Sequence, residues 1–179
     1  MNHIKAILSF LTIISITLLT GCSTTGAMWG NQTITQEEAA ADIKGFELPA
    51  KPMADHAIVY VYRPNWRGAL VKFPVYVDSE TEQNKVCYNR SAQYCYFNVK
   101  PGHHVILSPY GGGPETKMIL NAEAGKTYFY KQELIPRHGK GTNKLHYVRS
   151  QEKGTYFIKN LEMGTNLRSF PGGEKLIKD

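Results

Sequence analysis

The spacing of apolar and polar positions changes character along this chain. An apolar run from Ala6 to Leu19 follows the single charge of Lys5. It is shorter than the about 20 residues a spanning helix needs and has the length of a secretory signal core. Ser23 to Gly30 is small and polar, the composition of a flexible tether. Residues 33–44 then carry helix punctuation. Thr35 is placed to cap, Glu37 and Glu38 fill a first turn, Ala39 to Ala41 propagate, and Gly45 stops the run. So short a helix is marginal alone, so Ile43, Phe46 and Leu48 are expected to dock it onto the domain that follows.

From His56 the pattern is that of strands. Residues 57–63 are β-branched and aromatic almost throughout and end at Pro64. Further strands are read at 73–78, 85–88, 93–100, 103–109, 115–121, 126–135 and 144–149, with Pro, Gly and Asn turns between them. Strands this short, at spacings of about 8–12 residues, predict a mainly β fold, an antiparallel β-sandwich or barrel with short flanking helices. Ser150 caps a second helix, which Gly154 weakens by about 1 kcal/mol. Tyr156, Phe157 and Leu161 give it an apolar face. The tail beyond Gly164 is expected to fray. The expected organisation is a leader at 1–21, a tether with a short helix at 22–52, a sandwich with its C-terminal helix at 53–165, and a tail at 166–179.

Composition agrees with one globular domain: 179 residues, 42% hydrophobic and 20% charged. Lys and Arg outnumber Asp and Glu by 21 to 15. The basic residues are scattered, with no stripe interleaved with stacking aromatics, which argues against a nucleic-acid partner.

Leu19-Thr20-Gly21-Cys22 resembles the bacterial lipobox. The resemblance implies that the Cys22 thiol carries a diacylglycerol, that the chain is cut just before it, and that the protein meets the membrane through this N-terminal lipid. Ser23, rather than an aspartate, follows the cysteine. By analogy with enterobacterial sorting this favours the inner leaflet of the outer membrane, facing the periplasm. Cys87 and Cys95 then remain as an even pair in an exported protein, where a disulfide is favoured. With a turn centred near Ser91, the two are expected to face each other across an antiparallel hairpin, within disulfide reach.

The central stretch also carries a resemblance. Its pieces are Ile58-Val59-Tyr60-Val61-Tyr62-Arg63-Pro64, Pro74-Val75-Tyr76-Val77-Asp78, Pro101-Gly102-His103-His104 and Ala124-Gly125-Lys126-Thr127-Tyr128-Phe129. In this order they resemble the bacterial lipoproteins of domain-of-unknown-function family 2846. The resemblance implies a sandwich akin to the transthyretin or carboxypeptidase-regulatory type, and leaves the chemistry open. After Asp78 this chain departs from the family, with a longer loop from Ser79 to Gln83.

Candidate chemistry is sparse. Adjacent His103 and His104 face opposite sides of a strand. With His138 and His146 they offer no established ligand spacing, and no metal or other cofactor is expected. Ser108 and Ser150 suit turn and cap roles, Glu80 and Glu82 a solvated loop. Gly111-Gly112-Gly113 lacks the lysine of a phosphate loop. No catalytic residue is assigned, and an envelope hydrolase or metal-dependent enzyme is the alternative reading. Arg63 is expected to pair with a carboxylate or with carbonyls at the sheet end, and is also a ligand candidate. Trp66 beside Arg67, and Tyr110, are aromatics suited to stacking on a sugar or a peptide. Arg63, Trp66, Arg67 and Tyr110 are thus the candidate ligand residues of a binding or structural module, with an envelope protein or a glycan as partner.

Overall fold

Strand order answers the question the pattern leaves open. The structure, a computed structural model, describes residues 33–65, 68–111, 116–136 and 141–167. In chain order the elements are α1 (Gln36–Asp42), β1 (Ala57–Arg63), β2 (Phe73–Val77), β3 (Lys85–Asn89), β4 (Gln93–Val99) and β5 (Gly102–Leu107). Then come β6 (Lys117–Ala122), β7 (Thr127–Ile135), β8 (Thr142–Val148), α2 (Gln151–Lys159), β9 (Glu162–Met163) and β10 (Thr165–Asn166). They form two five-stranded sheets, β8-β7-β1-β4-β9 and β10-β3-β2-β5-β6. The expected mainly β sandwich with short helices is what the chain adopts. The second sheet is antiparallel throughout. The first is mixed: β1 runs antiparallel to β4 but parallel to β7, and β4 parallel to β9. A parallel partner needs a long crossover, and here the chain between β1 and β7 supplies four strands of the second sheet, β2, β3, β5 and β6, as well as β4 of the first.

The two sheets share one core. Val59, Val61, Phe97, Val99 and Tyr130 of the first meet Val75, Val77, Val86, Ile106 and Leu120 of the second. The first sheet is covered on its other side too, so every residue of β1 is buried. Ile58, Tyr60, Tyr62 and Phe129 face Phe157 and Ile158 of α2, with Ile34, Leu48 and Ala50 packed beside them. A strand buried on both faces loses its polar alternation, which is why β1 reads as a continuous apolar run.

Helix α1 is capped as its sequence indicates. Thr35 and Glu38 form a reciprocal capping box, and Gly45 takes a positive φ of 78°. The segment after it is pinned to the sheet by side chains. The Tyr60 hydroxyl donates to the Ala50 carbonyl at 2.7 Å and accepts from the Ala50 amide at 3.0 Å. Asn98 accepts from the Met53 amide at 3.1 Å. Gly154 has a packing reason: α2 lies so close to the first sheet that a Cβ there would fall on the Phe129 ring.

Two expectations are corrected. Residues 89–92 do not close a hairpin; β3 and β4 belong to different sheets, so this stretch arches from one to the other. The chain beyond Gly164 does not fray at once. β9 pairs with β4 in the first sheet and β10 with β3 in the second. Gly164 is the crossing point, where a side chain would strike Asn89 Oδ1 and the carbonyls of Tyr88 and Tyr94.

Candidate functional site

The strand ends that bound four connections, 64–72, 90–92, 108–116 and 136–141, lie at one end of the sandwich. This follows from the register. Arg63 pairs with Gln93, Phe73 with Asn89, Leu107 with Lys117, and Ile135 with Thr142, each pair closing its ladder at that end. Sandwich loops grouped in this way are where such folds carry binding residues.

Arg63 frames this end from within. It is fully buried. Its Nη1 donates to the Val71 carbonyl at 2.7 Å and its Nη2 to the Gly68 carbonyl at 2.8 Å. Its guanidinium lies 4.0 Å from the centroid of Phe73, and Phe73 packs at 5.0 Å on Tyr110. Burial pushes the guanidinium down to about 10, while Tyr110 acts in the opposite direction. Of the two partners the sequence allows Arg63, the carbonyls are seen. The side chain clamps the turn 68–71, itself closed by Val71 N donating to Gly68 O at 3.0 Å. Arg63 and Tyr110, distant in sequence, are thus joined through Phe73. Trp66 and Arg67 lie outside the described residues, as do Cys22 and His138.

Beside this stack is a buried polar network joining the sheets. Asn89 Nδ2 donates to the Val61 carbonyl at 2.9 Å and to Gln132 Oε1 at 3.0 Å. Gln132 Nε2 donates to Ser108 Oγ at 2.7 Å, and Asn143 Nδ2 to the same oxygen at 2.7 Å. Ser108 Oγ donates in turn to the Pro74 carbonyl at 2.8 Å. Its proton and its acceptor capacity are therefore spent, and it offers no nucleophile. Sequence reasoning found Ser108 but missed Asn89, Gln132 and Asn143. The available signal was Gln132, a polar residue in the alternating series Tyr128, Tyr130, Gln132, Leu134 of β7.

Cys87 and Cys95 form a disulfide just beneath the β3–β4 arch, with Cα atoms 6.4 Å apart. The geometry differs from the expected one. Cys87 pairs with Val75 in the second sheet and Cys95 with Val61 in the first, so the bond staples sheet to sheet through the core.

Among the described residues the histidines do not converge. His103 Nδ1 meets the Asn121 side chain. His104 lies between Asp78 Oδ2, at 3.0 Å, and the Lys100 carbonyl, at 2.9 Å. His146 Nε2 is 3.0 Å from Glu133 Oε2. Among the described residues no group of three or more His, Cys, Asp or Glu is arranged to hold a metal ion. Among them, too, no helix is long and apolar enough to cross a membrane. Comparison with family models, with curated proteins and with solved structures gives no match to this chain.

Proposed function

We propose that this chain is an envelope lipoprotein, anchored by acyl chains on Cys22 at the periplasmic face of the outer membrane, whose sandwich is a non-enzymatic binding or structural module. The lipobox-like Leu19-Thr20-Gly21-Cys22 behind its apolar run carries the reading. The docked segment begins by Ile34. About eleven residues then separate the acylated cysteine from the domain, and they span at most roughly 40 Å. Such a module works close to the bilayer that holds it. Two or more acyl chains are needed for stable anchoring, one alone being reversible.

The binding surface we assign to the module is the gathered loop end, with Arg63 as its internal brace and Tyr110, Trp66 and Arg67 as contact residues for a glycan or an envelope protein. A rigid frame under an aromatic loop suits recognition, because less order must be imposed on binding. Mass spectrometry of the mature N-terminus tests the reading. The expected species begins at an acylated Cys22, and Cys22→Ser leaves the chain unprocessed or released. An unmodified N-terminus elsewhere refutes it.

A further inference from the structure

The outer side of the second sheet breaks a rule of cross-strand pairing. Phe73 and Asn89 are the last pair of the β2–β3 ladder at the loop end. Lys72 and Arg90 flank that pair, one residue further along each strand, and both are exposed. Alternation sets them on the same outward side as the Pro74–Tyr88 pair. Like charges at opposed positions on one face destabilise a sheet. Among the described residues no carboxylate offsets them: neither Lys72 nor Arg90 has an acidic partner. The contrast with Lys85, on the same face, is direct. Its ammonium is held by Glu82 at 2.6 and 2.8 Å.

Tyr88 lies beside the unbalanced pair. Lys72 Nζ stands 4.8 Å from its ring centroid. Thr165, on β10, is its partner on the other flank. The hydrogen bond with Thr165 holds the phenol below its ordinary range, and the charges of Lys72 and Arg90 act in the same sense against the effect of burial. Two cations and two hydroxyls from three strands therefore converge on one exposed spot.

From this convergence we infer a binding site for a phosphate group, formed by Lys72, Arg90 and the hydroxyls of Tyr88 and Thr165. A phosphate carries up to two charges and several strong acceptor oxygens, enough to engage both cations and the one hydroxyl proton that the Tyr88–Thr165 bond leaves free. A single carboxylate has fewer. The phosphate is either free or borne on a lipid headgroup. The inference goes beyond the anchoring reading and stands without it, since none of the four side chains depends on Cys22.

Inorganic phosphate titrated into the ¹⁵N-labelled protein, at ionic strength held constant with sodium chloride, tests the site. The expected result is saturable shifts of the amides of Lys72, Tyr88, Arg90 and Thr165, complete by about 10 mM. Lys72→Gln and Arg90→Gln are surface changes and should each weaken binding about tenfold. Lys72→Gln also removes the like-charge opposition. Its Tm without phosphate should equal or exceed that of the parent, and phosphate should raise the Tm of the parent by more than that of the variant. Dihexanoyl phosphatidic acid, a monomeric lipid, forms the second arm. Tighter binding than inorganic phosphate assigns the site to a headgroup, and equal binding to a free phosphate. Shifts no larger than those in the chloride control, or shifts unchanged in both variants, overturn the proposal.

Discussion

Reducing Cys87–Cys95 should cost this domain a defined amount of stability, in a defined place. The two cysteines are eight residues apart. Closing so short a loop removes about 2.5 kcal/mol worth of unfolded-state entropy in the chain-entropy model. In a domain of this size that corresponds to a Tm drop of roughly 8–10 °C. Replacing both cysteines by alanine should cost more. Each sulfur is fully buried, and its removal adds about 1 kcal/mol of lost packing. The expected order of stability is oxidised, then reduced, then the double alanine variant. Urea unfolding with a thiol count on each sample measures it. Amide exchange adds the location. Because the bond joins the sheets, reduction should weaken protection at Val61 and Val75, which neighbour the cysteines in opposite sheets. A reduced protein whose Tm stays within about 1 °C of the oxidised one would refute the energetic argument. Loss of protection confined to β3 and β4 would refute the staple.

Three further outcomes follow from single contacts. Gly154→Ala improves helix propensity by about 1 kcal/mol but drives a Cβ into Phe129, so a net loss of about 1–2 kcal/mol is expected, read by thermal unfolding. Tyr60→Phe removes both bonds to Ala50; it should cost about 1–3 kcal/mol and make the segment before β1 more sensitive to limited proteolysis. His146 is held below its usual 6.5 chiefly by burial, with Glu133 pulling the other way. The folded state therefore favours the neutral ring. Below 6.5 the unfolded chain binds the proton more readily, so this contribution to stability is present above that value and declines as pH falls toward the folded pKa. His146→Gln should flatten that part of the acid limb in a series of unfolding curves.

The sequence reading located the strands well because most strand ends carry strong punctuation. Pro64 stops β1, Pro101-Gly102 opens β5 and Gly125 precedes β7, with Gly102 and Gly125 at positive φ. Helix caps were legible for the same reason: the Thr35 and Ser150 side chains accept the amide bonds their spacing implies. Sheet membership was not legible. Alternation records which side of a strand is apolar and says nothing about which strand lies beside it. A three-residue link from Asn89 to Gln93 suits a hairpin or an arch between sheets equally. In both, two inward cysteines come within bonding reach, so the disulfide was foreseeable while its topology was not. β9 and β10 escaped notice because two residues are too few to show a period.

The same blindness explains why the candidate site was only half visible. Arg63 and Tyr110 stood out as chemistry-bearing residues at strand ends. The residue that joins them, Phe73, looked like ordinary core. Asn89, Gln132 and Asn143 each look unremarkable in a strand, and become a network only when the β3–β4 arch brings the two sheets together at one end. The buried polar network is linked across Asn89, Ser108, Gln132 and Asn143, with Asn89 Oδ1 and Asn143 Oδ1 buried and unpartnered, and it ties the strand ends to one another and not merely to their neighbours. The disulfide lies just below, and the Arg63 clamp holds the turn beside it. Three independent devices thus brace the same end of the sandwich, whereas at the opposite end β4 and β5 are joined by a simple turn at Pro101. A fold that concentrates its cross-links at one end fixes the strand ends there relative to one another, and that is the physical support a recognition role at this end requires.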